Sequence, residues 1–154
     1  MREFRLSWVL ERELALGRAP RRRRHLDLLE AAGISAVLSL CALQEAPPPE
    51  PLEARFRCER LVLPDTRAGR APEPQELQAA VDALDGLLGG GAVYLHCQAG
   101  LERSPLVAMA WLMQRRRLDL QAALEYLREV HPASRPQADQ LAALRRWCGQ
   151  ALAV

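Results

Sequence analysis

Short runs of hydrophobic residues alternate along the chain with longer segments in which hydrophobic residues recur every three or four positions. The short runs predict three buried strands, at residues 36–40, 56–63 and 92–96. The longer segments predict helices at residues 25–32, 74–88, 104–117, 119–130 and 137–148. Because strands that alternate with helices build parallel sheets covered by helices, the pattern predicts an α/β fold with a central, mostly parallel sheet.

Two proline-rich stretches interrupt this pattern. Residues 45–51 (EAPPPEP) are predicted to form an extended, exposed connection, and residues 64–74 (PDTRAGRAPEP) form a second irregular stretch. Long loops in small domains often carry function. A length of 154 residues, 49% of them hydrophobic, predicts a single domain over residues 1–154 with a sizeable core.

Charge and hydropathy exclude several classes of protein. The net charge of +2 gives no support to general nucleic-acid binding, and no apolar run approaches the roughly 20 residues that span a bilayer. The charged N-terminal segment lacks the pattern of a signal peptide, so we expect a soluble, cytoplasmic protein without membrane contact. Arginines cluster at residues 21–24 and 115–117, either as solvated surfaces or as a basic surface that attracts anionic substrates.

The four cysteines do not have the spacing of a metal or disulfide framework. Cys41, Cys58, Cys97 and Cys148 form no C-x-x-C pair, which argues against structural zinc, and disulfides are rare in a reducing compartment. Cys41 and Cys58 lie in hydrophobic or strand-like segments and are predicted to be core residues. Cys97 is the exception, because it follows a predicted strand directly.

The segment AVYLHCQAGLERS, residues 92–104, runs from a predicted strand through a short loop into a predicted helix. Successive N–H groups in such a loop, together with a helix N-terminus, bind anions such as phosphate. Gly100 permits a backbone conformation that other residues disfavour, and Arg103 supplies a planar fork of donors for two phosphate oxygens. The same positive field stabilises a thiolate at Cys97. The predicted phosphate-binding residues are Gln98, Ala99, Gly100, Leu101, Glu102 and Arg103.

His96, Cys97, Gly100, Arg103 and Ser104 form the pattern HCxxGxxRS. This pattern resembles the active-site motif of the cysteine-based protein tyrosine phosphatase superfamily, including the five residues between the cysteine and the arginine. The strand–loop–helix context strengthens the resemblance. The alternative is a buried cysteine at a strand end that happens to precede an arginine on the next helix.

The resemblance covers most of the chain. The segments FRLSWVLERELALGRAP and HLDLLEAAGISAVLSL are similar to the opening of small atypical dual-specificity phosphatases. LVLPD resembles the strand that leads to their acid loop, and HPASRPQADQ resembles a late loop ending in a glutamine. The resemblance implies the protein tyrosine phosphatase fold of the dual-specificity type, in agreement with the pattern of strands and helices.

A thiolate attack leaves an alkoxide or phenoxide that needs a proton from a separate loop. Asp65 follows a hydrophobic run and Pro64, and the resemblance places the general acid there. A turn-forming aspartate is the alternative, and Glu102 is the main rival as the acid. The resemblance also implies that the Ser104 hydroxyl donates to the thiolate and eases its departure, a role compatible with capping the helix.

Two further polar residues are predicted to support the site. His96 is expected to orient the loop through hydrogen bonds, whereas His25 and His131 are expected to be structural. The resemblance implies that Gln140 positions the hydrolytic water, with a solvent-facing position on a helix as the alternative. The expected catalytic set is therefore Cys97, Arg103, Asp65 and Ser104, with neither a metal nor another cofactor.

The resemblance implies a hydrolase for phosphotyrosine in a protein or peptide substrate, and the sequence leaves open whether phosphoserine and phosphothreonine are substrates as well. Glu102 and the lack of lysine in the loop should repel a polyphosphorylated headgroup. The alternatives are a phosphatase for a phosphoinositide, an RNA 5′-phosphate or a small metabolite, and a catalytically inactive phosphate-binding module. Nucleic acid and membrane are not expected as partners, and the sequence leaves the oligomeric state open.

Overall fold

A five-stranded sheet forms the centre of the computed structural model, which describes residues 3–151. All three predicted strands, 36–40, 56–63 and 92–96, and all the predicted helices are represented in it. The strands are β1 (Ser7–Leu10), β2 (Leu14–Gly17), β3 (Ile34–Ser39), β4 (Arg57–Arg60) and β5 (Ala92–His96). Their order in the sheet is β1-β2-β5-β3-β4. Only the β1–β2 pair is antiparallel, so the prediction of a mostly parallel sheet is confirmed.

Helices cover both faces of this sheet. They are α1 (Arg23–Ala31), α2 (Leu52–Arg55), α3 (Pro74–Leu88), α4 (Arg103–Arg115), α5 (Leu120–Val130) and α6 (Ala138–Ala151). A 3₁₀ turn, Thr66–Ala68, lies in the second proline-rich stretch. The predicted start of α5 is confirmed, because the Asp119 carboxylate accepts a hydrogen bond from the Ala122 N–H at 2.8 Å. None of the helices within residues 3–151 is long and apolar enough to cross a membrane.

Side chains along the central strand β5 alternate between two hydrophobic cores. Val93 and Leu95 belong to the larger core, which α3, α4, α5 and α6 cover. Ala92 and Tyr94 point to the opposite face, where they meet α1 and Phe56. Because both faces are buried, the strand reads as a continuous hydrophobic run, which explains why the sequence identified it well.

Two expectations at the sheet edge are wrong. The predicted strand 56–63 is paired only over β4, and Cys58 in it is exposed instead of lying in the core. β4 is an edge strand that pairs with β3 alone, so part of its length faces solvent. The stretch 45–51 is not exposed throughout either, because Ala46 is buried against Ala19 and Cys41. The buried position predicted for Cys41 is confirmed, and both arginine clusters lie on exposed surface.

The carboxyl ends of β3 and β5 meet at one edge of the sheet, where Ser39 pairs with His96. Open parallel sheets bind ligands beyond this edge. The chain leaves β5 at His96 and enters α4 at Arg103, so the loop with the HCxxGxxRS motif lies there. The single-domain prediction over 1–154 includes residues 1, 2 and 152–154, which lie outside the described part of the chain.

Candidate active site

The loop between β5 and α4 places a buried thiol beside a hydroxyl. Cys97 is 3% exposed, and its Sγ lies 3.3 Å from the Oγ of Ser104. Helix α4 begins at Arg103, and Glu102 occupies the capping position before it. Ser104 therefore lies inside the first turn, and the idea that it caps the helix is wrong. Its hydroxyl instead faces the thiol, as the resemblance implies.

Four carbonyl groups of this loop are hydrogen-bonded by groups outside it. The pairs are His96 Nδ1 to Cys97 O (3.0 Å), Ala19 N to Gln98 O (3.1 Å), His131 Nε2 to Gly100 O (2.7 Å) and Arg135 N to Leu101 O (2.6 Å). In a trans peptide, the C=O of one residue and the N–H of the next point in opposite directions. The N–H groups that follow these four carbonyls therefore point away from the anchors, towards the inside of the loop. This arrangement suits an oxyanion.

His96 contributes to the loop as a neutral imidazole. Burial lowers its pKa from 6.5 to about 4. Its Nδ1 donates to the Cys97 carbonyl, and its Nε2 accepts the Ser39 hydroxyl at 2.7 Å. With both ring nitrogens engaged and the ring neutral near pH 7, His96 is suited to hold the loop and unsuited to shuttle protons. The contacts favour the orienting role expected from the sequence.

His131 has a closer connection to the site than its predicted structural role suggested. Its Nε2 donates to the Gly100 carbonyl, and its Nδ1 accepts the Ser7 hydroxyl at 2.6 Å. Burial lowers its pKa, which favours the neutral ring that this donor–acceptor pair requires. His131 is 31 positions from Gly100 and 124 positions from Ser7, and it links β1 to the loop between β5 and α4. Nothing in the local pattern of the sequence indicates such a contact.

Arg103, the first residue of α4, has a side chain that is only 5% exposed. Its Nη2 and Nη1 donate to the two carboxylate oxygens of Glu45 at 2.8 and 3.2 Å. Nη1 also donates to the Leu63 carbonyl at 3.3 Å. Because a buried guanidinium is costly without partners, this pairing both compensates its charge and fixes the plane of the fork. The Arg103 hydrogen bonds in turn hold the pKa of Glu45 below its ordinary value.

The sequence did not identify Glu45 as part of the site, because it begins the stretch predicted to be an exposed connection. The carboxylate of Glu45 is instead turned inward and is also bound by the backbone N–H of Ala42 at 2.8 Å. Its contact with Arg103 joins positions that are 58 residues apart. A glutamate in a proline-rich stretch carries no local signal of that kind.

Asp65 lies at the rim of the same pocket and also forms a turn. The backbone N–H of Arg67 donates to its Oδ1 at 2.9 Å, the pattern of an Asx turn. The Arg67 guanidinium donates to its Oδ2 from Nε at 2.9 Å and from Nη2 at 2.7 Å. These side-chain hydrogen bonds lower the pKa of Asp65. Asp65 thus forms the turn of the alternative interpretation, and its role as the general acid stays a prediction.

The pocket has a volume of about 160 Å³. Its lining consists of Asp65, Arg67, Cys97, Gln98, Ala99, Leu101, Glu102 and Arg103. Larger hollows of about 460 and 600 Å³ lie beside Trp111 and Cys148, and neither contains a predicted site residue. The smaller pocket is therefore the candidate active site, because the predicted nucleophile, acid and phosphate-binding residues converge in it.

Gln140 is buried and connected to the rim of the pocket. It is 2% exposed, so the solvent-facing alternative is wrong. Its Nε2 donates to Glu102 Oε1 at 3.2 Å, and its Oε1 accepts the Gln137 N–H at 2.7 Å. Through Glu102, the side chain lies one contact away from the pocket lining. Its relation to a hydrolytic water stays a prediction.

Gly100 is expected to be indispensable for the shape of the loop. Its φ is +74°, and a Cβ there would lie 2.7 Å from the backbone carbon of Gly17. Gly100→Ala must therefore push the loop away from β2. A displacement of about 1 Å in a catalytic group can cost about 10²-fold, so we expect a loss of that order in kcat/KM for a phosphorylated substrate.

Gly33→Ala is the matched control for this prediction. Gly33 also has positive φ, +89°, but its added Cβ would meet nothing within 4 Å. This variant should lose about 1 kcal/mol of unfolding free energy through backbone strain and keep its kcat/KM. Equal kinetic effects of the two substitutions would contradict the proposed contact between Gly100 and β2.

Comparison with known proteins gives one family across nearly the whole chain. The model of the family described as "Dual specificity phosphatase, catalytic domain" matches residues 16–150. Dual specificity protein phosphatase 1-B of Xenopus laevis is 30% identical over 128 residues, which are 82% of this chain and 33% of that protein. Phosphatidylglycerophosphate phosphatase PTPMT2 of Arabidopsis thaliana is 28% identical over 131 residues, which are 84% of this chain and 57% of that protein.

These relatives are longer than the matched region. The chain spans about a third of the length of the Xenopus protein and just over half of the Arabidopsis protein. Among solved structures, Tk-PTP in the active form superposes with a TM-score of 0.80 at 29% identity, covering 92% of this chain and 95% of that one. The similarity in fold therefore extends over both chains almost completely.

Proposed function

Because the chain belongs to the family of dual specificity phosphatase catalytic domains, as the resemblance implied, we propose that it dephosphorylates phosphotyrosine, phosphoserine and phosphothreonine in proteins. The observation that carries this proposal is the convergence in one pocket of the Cys97 thiol, the buried Arg103 fork and the Asp65 carboxylate. The anchored loop between Cys97 and Arg103 adds inward-pointing N–H groups. Together they provide a nucleophile, an oxyanion site and an acid.

We infer a reaction in two steps. The Cys97 thiolate attacks phosphorus while Arg103 and the loop N–H groups hold the phosphate oxygens. The bond from phosphorus to the leaving oxygen breaks, and that oxygen takes its electron pair together with the proton of Asp65. The product is a cysteinyl phosphate. Water then attacks phosphorus and gives a proton to the carboxylate of Asp65, which the first step left ionised. The S–P bond breaks, and its electron pair returns to sulfur.

Three residues are assigned supporting roles in this reaction. The Ser104 hydroxyl, 3.3 Å from sulfur, would donate to the thiolate as it leaves the phosphoenzyme. Gln140 would position the water through its link to Glu102 at the pocket rim. His96 would keep the Cys97 carbonyl turned outward. No proposed step requires a metal, because Arg103 and the loop N–H groups neutralise the phosphate.

The charges around the pocket support a substrate with a single phosphate. Asp65 and Glu102 line it, and Glu45 lies directly behind Arg103. The guanidinium groups of Arg67 and Arg103 are the positive groups that line the pocket, so the three carboxylates outnumber them. A second or third phosphate next to the scissile one would meet like charge, which costs affinity. A phosphorylated side chain of a protein avoids this repulsion.

A phospholipid monoester is the second candidate substrate. The Arabidopsis relative bears the name of a phosphatidylglycerophosphate phosphatase and is nearly as similar to this chain as the Xenopus protein. The charge argument disfavours a polyphosphoinositide more than it disfavours a lipid with one phosphate. An RNA 5′-phosphate, a small metabolite and an inactive phosphate-binding module remain the further alternatives to be tested.

A substrate panel distinguishes these functions. We expect phosphate release from phosphotyrosine, phosphoserine and phosphothreonine peptides, with kcat/KM at least tenfold above that for phosphatidylglycerophosphate, phosphoinositides, 5′-phosphorylated RNA or sugar phosphates. The same panel with Cys97→Ser gives the background. A higher kcat/KM for any lipid would overturn the assignment to protein substrates. Tungstate binding without turnover of any substrate would identify an inactive module.

A further inference from the structure

Arg67 is an exposed residue whose guanidinium is nevertheless held at the mouth of the active site. Its side chain is 68% exposed. Besides Asp65, Nη2 donates to the Gln98 Oε1 at 3.2 Å and lies 3.5 Å from the Glu45 Oε1. Gln98 belongs to the phosphate loop and Glu45 holds Arg103, so Arg67 touches three parts of the site. The motif that identified the pocket does not include it.

The contact with Asp65 matters because a general acid must carry a proton. Oδ2 of Asp65 accepts two N–H groups from Arg67, and Oδ1 accepts a third from the Arg67 backbone. A carboxyl group that accepts at both oxygens and faces a cation is held in its ionised form. In the free enzyme Asp65, the residue proposed to donate the proton, is thus held in the carboxylate form, which has no proton to donate.

The other charged groups around Asp65 do not reverse this preference. Arg103 also lowers the pKa of Asp65, after the larger effect of Arg67. Glu45 is close enough to interact with Asp65 and opposes them, and Glu102 lies across the pocket. Gln98 is neutral. The exposed cation, Arg67, is therefore the group whose movement would change the protonation of Asp65 most.

We propose that Arg67 is the positioning residue for Asp65, holding it ionised at the pocket rim until a substrate phosphate dianion takes over the guanidinium. Asp65 then faces a new dianion in place of a cation and takes up a proton from solvent. This inference rests on the proposed function, in which Asp65 is the acid. It makes protonation of the acid a consequence of substrate binding.

The structure provides the conditions for such an exchange. The partners of Arg67 lie in an exposed setting where water can replace them as it reorients, whereas Arg103 is buried and fixed by Glu45. A phosphate dianion carries more charge and more acceptor oxygens than a carboxylate, so it competes well for a guanidinium. Arg67 and the phosphate-binding loop line the same pocket, so the move is short.

Arg67→Leu tests the inference, and Arg70→Leu is its matched control. Arg70 is an exposed arginine on the same loop, but its guanidinium pairs with Glu76 at 2.7 Å instead of with Asp65. Both variants remove one positive charge from the same loop. Arg67→Lys, which keeps the charge without the planar fork, should fall between wild type and Arg67→Leu.

The first measurement is the titration of the Asp65 carboxyl carbon by ¹³C NMR in the free enzyme, assigned with Asp65→Asn. Removing Arg67 should move the midpoint to higher pH, and removing Arg70 should leave it in place. The second measurement is the pH dependence of kcat and of kcat/KM with phenyl phosphate as the substrate. The basic limb of kcat/KM reports the free enzyme and that of kcat reports the complex. Since activity falls as Asp65 loses its proton, wild type should show the kcat/KM limb at lower pH than the kcat limb.

In Arg67→Leu the kcat/KM limb should move to higher pH and the gap between the two limbs should narrow. Maximal kcat/KM should fall about tenfold with the lost contact to the phosphate. An unchanged NMR midpoint in Arg67→Leu overturns the role of Arg67, whether or not Asp65 is the general acid. A shifted midpoint with unmoved kinetic limbs overturns it too and shows that Asp65 is not the acid. Cys97→Ser tests the phosphatase function itself independently of both.

Discussion

Cys97→Ser is expected to remove all measurable phosphatase turnover while the variant still binds a phosphorylated substrate. The serine hydroxyl stays protonated at neutral pH and is a far weaker nucleophile than a thiolate. The loop N–H groups and Arg103, which are proposed to hold the phosphate, should be unaffected by the exchange of sulfur for oxygen. Loss of a catalytic nucleophile elsewhere costs about 10⁶-fold in kcat, and we expect a loss of that order here.

Phosphate release with a phosphotyrosine peptide measures the turnover, and isothermal titration calorimetry measures the binding. Cys148→Ser is the control, because Cys148 is a half-buried thiol on α6 that does not line the pocket. It should keep wild-type kinetics. Hydrolysis by Cys97→Ser within tenfold of wild type would rule out Cys97 as the nucleophile. Loss of substrate binding in this variant would contradict the proposal that the loop N–H groups and Arg103, and not the sulfur, bind the phosphate.

Asp65→Asn is expected to slow hydrolysis according to how much the leaving group needs a proton. A general acid contributes about 10² to 10⁴ in rate, so hydrolysis of phosphotyrosine or an alkyl phosphate should slow by that order. An activated aryl phosphate, whose leaving group departs as an anion, should be affected much less. Asparagine retains the Oδ1 that accepts the Arg67 N–H at 2.9 Å, so the turn should survive.

The pH profile provides an independent measurement of the same role. The basic limb should flatten in Asp65→Asn, because the group that must stay protonated is absent. Asp82→Asn serves as the control, since it removes one carboxylate from the exposed surface of α3. Equal slowing of activated and unactivated substrates would make Asp65 a structural residue, and Glu102 would be the next acid to test.

The parts of the site that the sequence predicted are those encoded in a continuous segment. The pocket contains Cys97, Arg103 and the loop between them because strand β5, a short loop and helix α4 follow one another directly. The hydrophobic run of β5 and the helical spacing of α3 were recognisable because each element buries most of its residues or one clear face. Hydrophobic patterns of this kind can be recognised without knowledge of the tertiary structure.

The parts that the sequence did not predict depend on contacts between distant segments. Glu45 meets Arg103 and His131 meets Gly100 only after the sheet and the helices have packed. Cys58 was placed in the core because its neighbours are hydrophobic or strand-forming, and a sequence pattern does not tell an edge strand from a central one. The role of Arg67 was missed for a related reason, because an arginine in a polar loop normally faces solvent.

The anchoring of the phosphate loop has a consequence for the folding of the domain. The groups that hold its carbonyls and its arginine come from Ala19, Glu45, His131 and Arg135, which span most of the described chain. Contacts of such long sequence separation form only after the entropy of closing large loops has been overcome. We therefore expect the pocket to assemble late in folding, and local opening of the segment after β2 or of the α5–α6 connection should remove hydrogen bonds that hold the loop. We expect phosphate, which on the proposed function binds only the assembled loop, to stabilise the whole cooperative unit through mass action.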